Sequence, residues 1–111
     1  MQDIKTALNV TRCYLDAIAM EARRHGARFD WSLDPIAEGS LDPNFYPTGQ
    51  AYFNLDMTVS GCNFYAGDCG IVRADRLESS LERARTLRDS FMRHIQRVRA
   101  SGHQLQATFN F

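Results

Sequence analysis

A chain of 111 residues that is 44% apolar and 23% charged has the balance of one globular domain with one core, and it is too short for two. Thirteen Lys+Arg against thirteen Asp+Glu leave no net charge, which excludes a global electrostatic grip on nucleic acid or acidic membrane and leaves only local patches. Three cysteines cannot all pair within one chain, so a complete disulfide framework is excluded as well.

The first residues, MQDIKTALNVTRCYLDAI, carry charges where a secretion signal needs an apolar run. No stretch approaches the ~18 continuous apolar residues of a membrane span. A cytoplasmic protein of a bacterium or phage-infected host is expected, with free thiols as the default and no membrane contact. Lys5 is the one lysine among the thirteen basic residues. The arginine skew reads mainly as coding bias, although arginine is the better fork for carboxylate or phosphate.

Residues 3–25 predict a helix. Ile4, Leu8, Thr11, Leu15, Ile18 and Ala22 recur at spacings of four and three and share one face. Asp3 suits the N-cap, Arg23, Arg24 and His25 suit the negative end of the dipole, and Gly26 suits the C′ position. Val10, Cys13, Ala17 and Met20 form a second apolar stripe on the opposite face. A helix that is apolar on two sides is expected to have something packed on both.

ARFDWSLDP then alternates, with Phe29, Trp31 and Leu33 pointing one way, and Pro35 stops this strand. Residues 35–50 hold all three prolines and form a loop long enough to suggest a function. AYFNLDMTVS is the clearest strand, with Phe53, Leu55, Met57 and Val59 facing in and Tyr52, Asn54, Asp56 and Thr58 facing out. A short strand around Asn63–Ala66 is expected to pair back against it, with Gly61 and the 67–70 segment as turns. Asp75 and Glu78 resemble a capping box for a second helix, whose core face runs Leu77, Leu81, Ala84, Leu87, Phe91, Ile95 and Val98 and which Gly102 stops. The tail HQLQATFNF alternates again. The order is α-β-β-β-α-β: a single α+β domain over 1–111, with two long helices on one face of a four-stranded, mostly antiparallel sheet.

The segment GCNFYAGDCG holds two cysteines six residues apart. That spacing, with His25, His94 and His103 scattered, does not make a zinc site. Cys62 reads as a small hydrophobe on the core face, and a Cys62–Cys69 bridge is the next possibility. Cys69 is the better candidate for a nucleophile, because a following helix N-terminus lowers a thiol pKa. Asp30, Asp34 and Asp56 on the outer sheet face are candidate paired carboxylates. Dinucleotide, phosphate-loop and metalloprotease motifs are absent, so no cofactor and no catalytic residue is assigned.

The α-β-β-β-α order resembles that of double-stranded-RNA-binding domains. The likeness ends with the order, because DRLESSLERAR supplies Glu78 and Glu82 where such domains place lysines against phosphate. Nucleic-acid binding through the arginine-rich second helix therefore stands as an alternative, and thiol chemistry at Cys69 as another. Arg88 falls inside the apolar stripe of that helix, which suggests a snorkelling stem or an ion pair.

Two surfaces look made for contact. One is the stripe Val10, Cys13, Ala17, Met20; the other is the aromatic loop with Phe45 and Tyr46 beside an open sheet face bearing Tyr52. Aromatic and apolar anchors with a polar surround are what protein interfaces use. The leading expectation is a small non-catalytic protein that works by protein–protein contact, with a homodimer as one form. By association with other small arginine-rich bacterial and phage domains, an inhibitor of anti-defence or toxin-immunity type is its expected role.

Overall fold

The first helix, α1, spans Ile4–Arg24 in the structure, a computed structural model that describes residues 3–101. Asp3 starts it: the Thr6 N–H donates to Asp3 Oδ1 at 2.7 Å and so satisfies one of the orphan donors of the first turn. The same hydrogen bond holds the Asp3 carboxyl below the usual carboxylate range. At the other end Gly26 (φ +93°) donates to Arg23 O, and Ala27 donates to Ala22 O at 3.1 Å. This is a Schellman stop, which needs the left-handed conformation that glycine adopts freely.

Three strands follow, β1 (Arg28–Pro35), β2 (Tyr52–Gly61) and β3 (Phe64–Arg73), in one antiparallel sheet of order β1-β2-β3. The register sets Phe29 opposite Val59 and Leu33 opposite Leu55, then Leu55 opposite Gly70 and Phe53 opposite Val72. Phe29, Leu33, Phe53, Leu55, Met57, Val59 and Val72 are buried on one side, as the period-two alternation requires. The second helix, α2 (Glu78–Ala100), packs on that side beside α1 and buries Ala84, Leu87, Phe91 and Ile95. The chain is thus α+β with two helices on one face of an antiparallel sheet. The expected fourth strand, with Leu105, Ala107, Phe109 and Phe111, and the stop at Gly102 lie outside the described residues.

The structure corrects three local expectations. β3 is ten residues long, and Gly67 and Gly70 lie within it instead of forming a turn. The Arg83 guanidinium crosses above Gly70, and a Cβ there would lie 2.7 Å from Arg83 Nη1. Cys62 is not on the strand but in the two-residue turn with Asn63, both at positive φ (54° and 62°), closed by the Gly61–Phe64 pair. Such doubly left-handed turns match the twist of a hairpin. Finally, Asp75 does not cap α2. It pairs with Arg73 at 2.8 Å inside a short 3-10 turn, Ala74–Arg76, and Leu77 at the α2 cap makes no side-chain capping bond.

The two helices run in the same direction. α1 ends in the Gly26 turn, which touches the β2–β3 turn, and near its own C-terminal end α2 places His94 Nε2 2.7 Å from Cys62 O. Arg88 ties them together through Glu21 on α1 at 3.2 Å. The contact between turns requires Gly61, whose φ is +143° and whose Cβ would meet Gly26 O at 2.7 Å. Gly61→Ala is therefore expected to cost about 2–3 kcal/mol, because backbone strain and a backbone clash add. Gly39→Ala, with φ +84° and open space around it, should cost only the conformational part, about 1 kcal/mol. Urea unfolding of both variants checks the ranking; equal losses would contradict the contact.

Candidate interaction surface

The outward side of α1 carries Thr6, Val10, Cys13, Ala17, Met20 and Arg24 at spacings of four, three, four, three and four. The core-facing side takes Thr11, Leu15, Ile18, Ala19 and Ala22, all buried. The two lines lie on opposite sides of the helix, so packing against the sheet leaves the second uncovered. Val10 is 41% exposed, Met20 53% and Tyr14, which flanks the line, 53%; Cys13 and Ala17 are exposed too. The long loop does not reach them, and among the described residues nothing covers the stripe.

Four charged residues along its borders are engaged within the fold. Arg12 Nη2 donates to Leu33 O at 2.8 Å, and Arg23 Nη2 donates to Phe29 O at 3.0 Å. Between them Asp16 Oδ1 accepts from the Trp31 indole N–H at 3.2 Å. Positions 12, 16 and 23 share one side of α1 and lie over the edge of β1 away from β2, where the Phe29 and Leu33 carbonyls accept. On the other border Glu21 is held by Arg88. The far edge of the sheet is closed in the same way: Arg83 grips Asp68 through two hydrogen bonds (2.8 and 2.6 Å) and reaches Cys69 O at 2.9 Å. Occupied edge carbonyls give a neighbouring strand less to pair with. The positions were readable from the sequence, but Arg12 and Arg23, and Arg83 in part, end on backbone carbonyls, which carry no sequence signal.

The aromatic loop divides its anchors. Asp42 organises a turn, accepting from Asn44 N–H on its side chain at 2.9 Å and from Tyr46 N–H on its carbonyl at 2.9 Å. Tyr46 then sits edge-on to Tyr52 at 5.5 Å, and the Tyr52 hydroxyl donates to Pro47 O. Tyr52 is consequently 8% exposed and is not presented on the open sheet face; the loop covers it. Tyr46 is half-buried, while Phe45 at the tip is 78% exposed. A cleft of about 480 Å³ lies under the loop between Ile36, Leu41 and Tyr52, with Glu38 as its one charged lining residue.

The outer sheet face does not pair its carboxylates. Asp56 stands opposite Ser32, diagonal to Asp30 and Asp34, and Asp30 is engaged by Arg28 at 2.8 Å. Among the described residues no group of three or more His, Cys, Asp or Glu is placed to hold a metal ion. Cys69 is exposed on this face opposite Asp56, four residues before β3 ends, and so is not at a helix N-terminus. Cys62 is half-buried against the core, and all three thiols are free. Cys62 lies in the β2–β3 turn and Cys69 lies five residues along β3 from Phe64, ~17 Å, far beyond disulfide reach. On α2, Arg85, Arg93, Arg97 and Arg99 are exposed, as is Arg76 in the turn before it, with Glu78 and Glu82 exposed at its start. No described helix is long and apolar enough to cross a membrane. Comparison with family models, curated proteins and solved structures found no match to the chain.

The Asp68–Arg83 pair makes a pH prediction. Arg83's hydrogen bonds hold the Asp68 carboxyl below its ordinary range. A carboxyl with a depressed folded pKa stabilises the fold above its unfolded pKa, and that contribution disappears as pH falls through the folded value. Both side chains are about one-third exposed, so the pair is worth about 1 kcal/mol after solvent screening. Asp68→Asn should lose about that much near neutrality and lose less further stability than wild type between about pH 5 and about pH 3. Parallel acid profiles of the two proteins in urea melts would contradict it.

Proposed function

We propose that this chain is a non-catalytic binding protein that acts by protein–protein contact through the outer face of α1. The observation that carries the reading is the exposure of Val10, Tyr14 and Met20 on one helix face with Cys13 and Ala17 between them. A solvated helix face ordinarily carries Glu, Lys or Gln; this one carries side chains that gain ~1.5–3 kcal/mol each when fully buried. Ala17 leaves room for another backbone, and Met20 adapts to an irregular partner surface. Phe45, well exposed on its loop, is a separate anchor candidate.

A second reading, contact with a nucleic-acid backbone, is favoured by one charge pattern. After Asp89 the sequence contains no acidic residue, while Arg93, Arg97 and Arg99 follow, and α1 ends in Arg23 and Arg24 near the same end of the sheet. Phosphate binding of this kind must weaken steeply with salt.

A photo-reactive benzophenone amino acid placed at Ala17, with Gln96 as an exposed control position, tests the first reading in cells that express the protein. Adducts with protein are expected at position 17 and not at position 96. No protein adduct at position 17 in a folded chain would overturn the reading. Binding to DNA or RNA that falls steeply in a salt titration would favour the second.

A further inference from the structure

We infer that the partner of this face is a second copy of the chain, packed antiparallel along α1 about a two-fold axis level with Leu15. This rests on the reading of the α1 face as a protein contact and names its occupant. The line Thr6, Val10, Cys13, Ala17, Met20, Arg24 has the alternating four–three spacing of a two-helix coiled-coil seam. That spacing is the same in both directions about its midpoint, so the line is complementary to itself reversed. A two-fold interface needs this property, since each patch must fit its own copy.

The side chains match in the antiparallel register. Cys13 faces Ala17 of the second copy, twice, so the two middle layers are small and the helices come close. Val10 faces Met20 of the second copy in the layers outside these, where the larger side chains close the ends. Arg24 is the charged residue of the line and has no ion-pair partner among the described residues. Antiparallel packing carries it to the first turn of the other α1, beside the Asp3 carboxylate. Parallel packing would set Arg24 against Arg24, which is unfavourable. Four bordering charges add no obstacle: Arg12, Asp16, Arg23 and Glu21 already have partners in their own chain, so closing the seam strands none of these four.

Oxidative crosslinking in a Cys62→Ser/Cys69→Ser background reads the register. With Ala17→Cys added, the native Cys13 thiol and the thiol introduced at position 17 of the other copy fall within disulfide reach, and a covalent dimer linked 13-to-17 is expected by peptide mapping. With Cys13→Ser also present, two position-17 thiols sit about 6 Å out of register along the axis, and the crosslink should vanish. Links of 13-to-13 or 17-to-17 would overturn the antiparallel seam. Light scattering on the unaltered chain keeps the test independent of these variants. It should give twice the 12.6 kDa chain mass, and Ala17→Glu, with circular dichroism as the folding control, should weaken association at least about a hundredfold. A wild-type monomer up to about millimolar concentration, where even a millimolar Kd would show, overturns the inference. If position 17 still captures another protein, the broader reading of the face survives that result; if it captures none, both fall.

Discussion

The rest of this structure depends on burying one apolar sheet face under two helices lying side by side. Phe29, Leu33, Phe53, Leu55, Met57 and Val59 come from two strands and present a continuous apolar surface. One helix is too narrow to cover three strands spaced ~4.8 Å apart, so α1 and α2 are both needed. Each brings its own apolar line, Leu15, Ile18 and Ala22 on one and Ala84, Leu87, Phe91 and Ile95 on the other. With both helices on one side, the opposite sheet face stays mostly polar, and among the described residues nothing covers the outer face of α1. The apolar stripe of α1 is conspicuous because the core-forming stripe of that helix is already used.

Arginine does a second kind of structural work. Among the described residues β1 and β3 are the edge strands of the sheet, and an edge strand invites pairing with other chains. Here guanidinium groups descend from the helices onto edge carbonyls: Arg12 and Arg23 on β1, Arg83 on β3. A guanidinium suits this task because its planar fork donates in several directions, as Arg83 does to both Asp68 oxygens and to Cys69 O. An ammonium group has three donors, but from a single point and without the planar fork that grips both carboxylate oxygens side by side. The arginine-rich composition thus has a structural use beyond any coding bias. Arg88 belongs to the same scheme, binding Glu21 and Asp89 so that its charge is matched where the two helices meet.

This arrangement bears on function through what it leaves over. Arg12, Asp16, Glu21 and Arg23, which border the outer face of α1, are committed within the chain, while among the described residues nothing covers the apolar side chains between them. The loop after β1 spends Tyr46 and Tyr52 on its own closure and leaves Phe45 outside. The thiols follow the same division, with Cys62 packed near the core and Cys13 and Cys69 on two separate surfaces.

The sequence by itself determined the elements and their inward faces. Asp3 and Gly26 marked the ends of α1, the alternation through β1 and β2 named their buried residues, and the three–four spacing named the core line of α2. These signals are local: a cap, a turn and a periodicity each act within a few residues, so they are written in consecutive letters. The apolar stripe of α1 was legible for the same reason. Only the tertiary structure decided that β3 runs straight through Gly67 and Gly70, where the strand pairs along β2 and Arg83 crosses from α2 above Gly70. It also decided that Tyr52 is covered, because its cover is a hydroxyl bond to the carbonyl of Pro47 under a folded loop. The roles of Arg12, Arg23 and Arg83 were likewise hidden, since each ends on a backbone carbonyl, and every residue in the chain has one. Where an interaction joins distant elements through the backbone, the letters name the donor, and the fold alone supplies the acceptor.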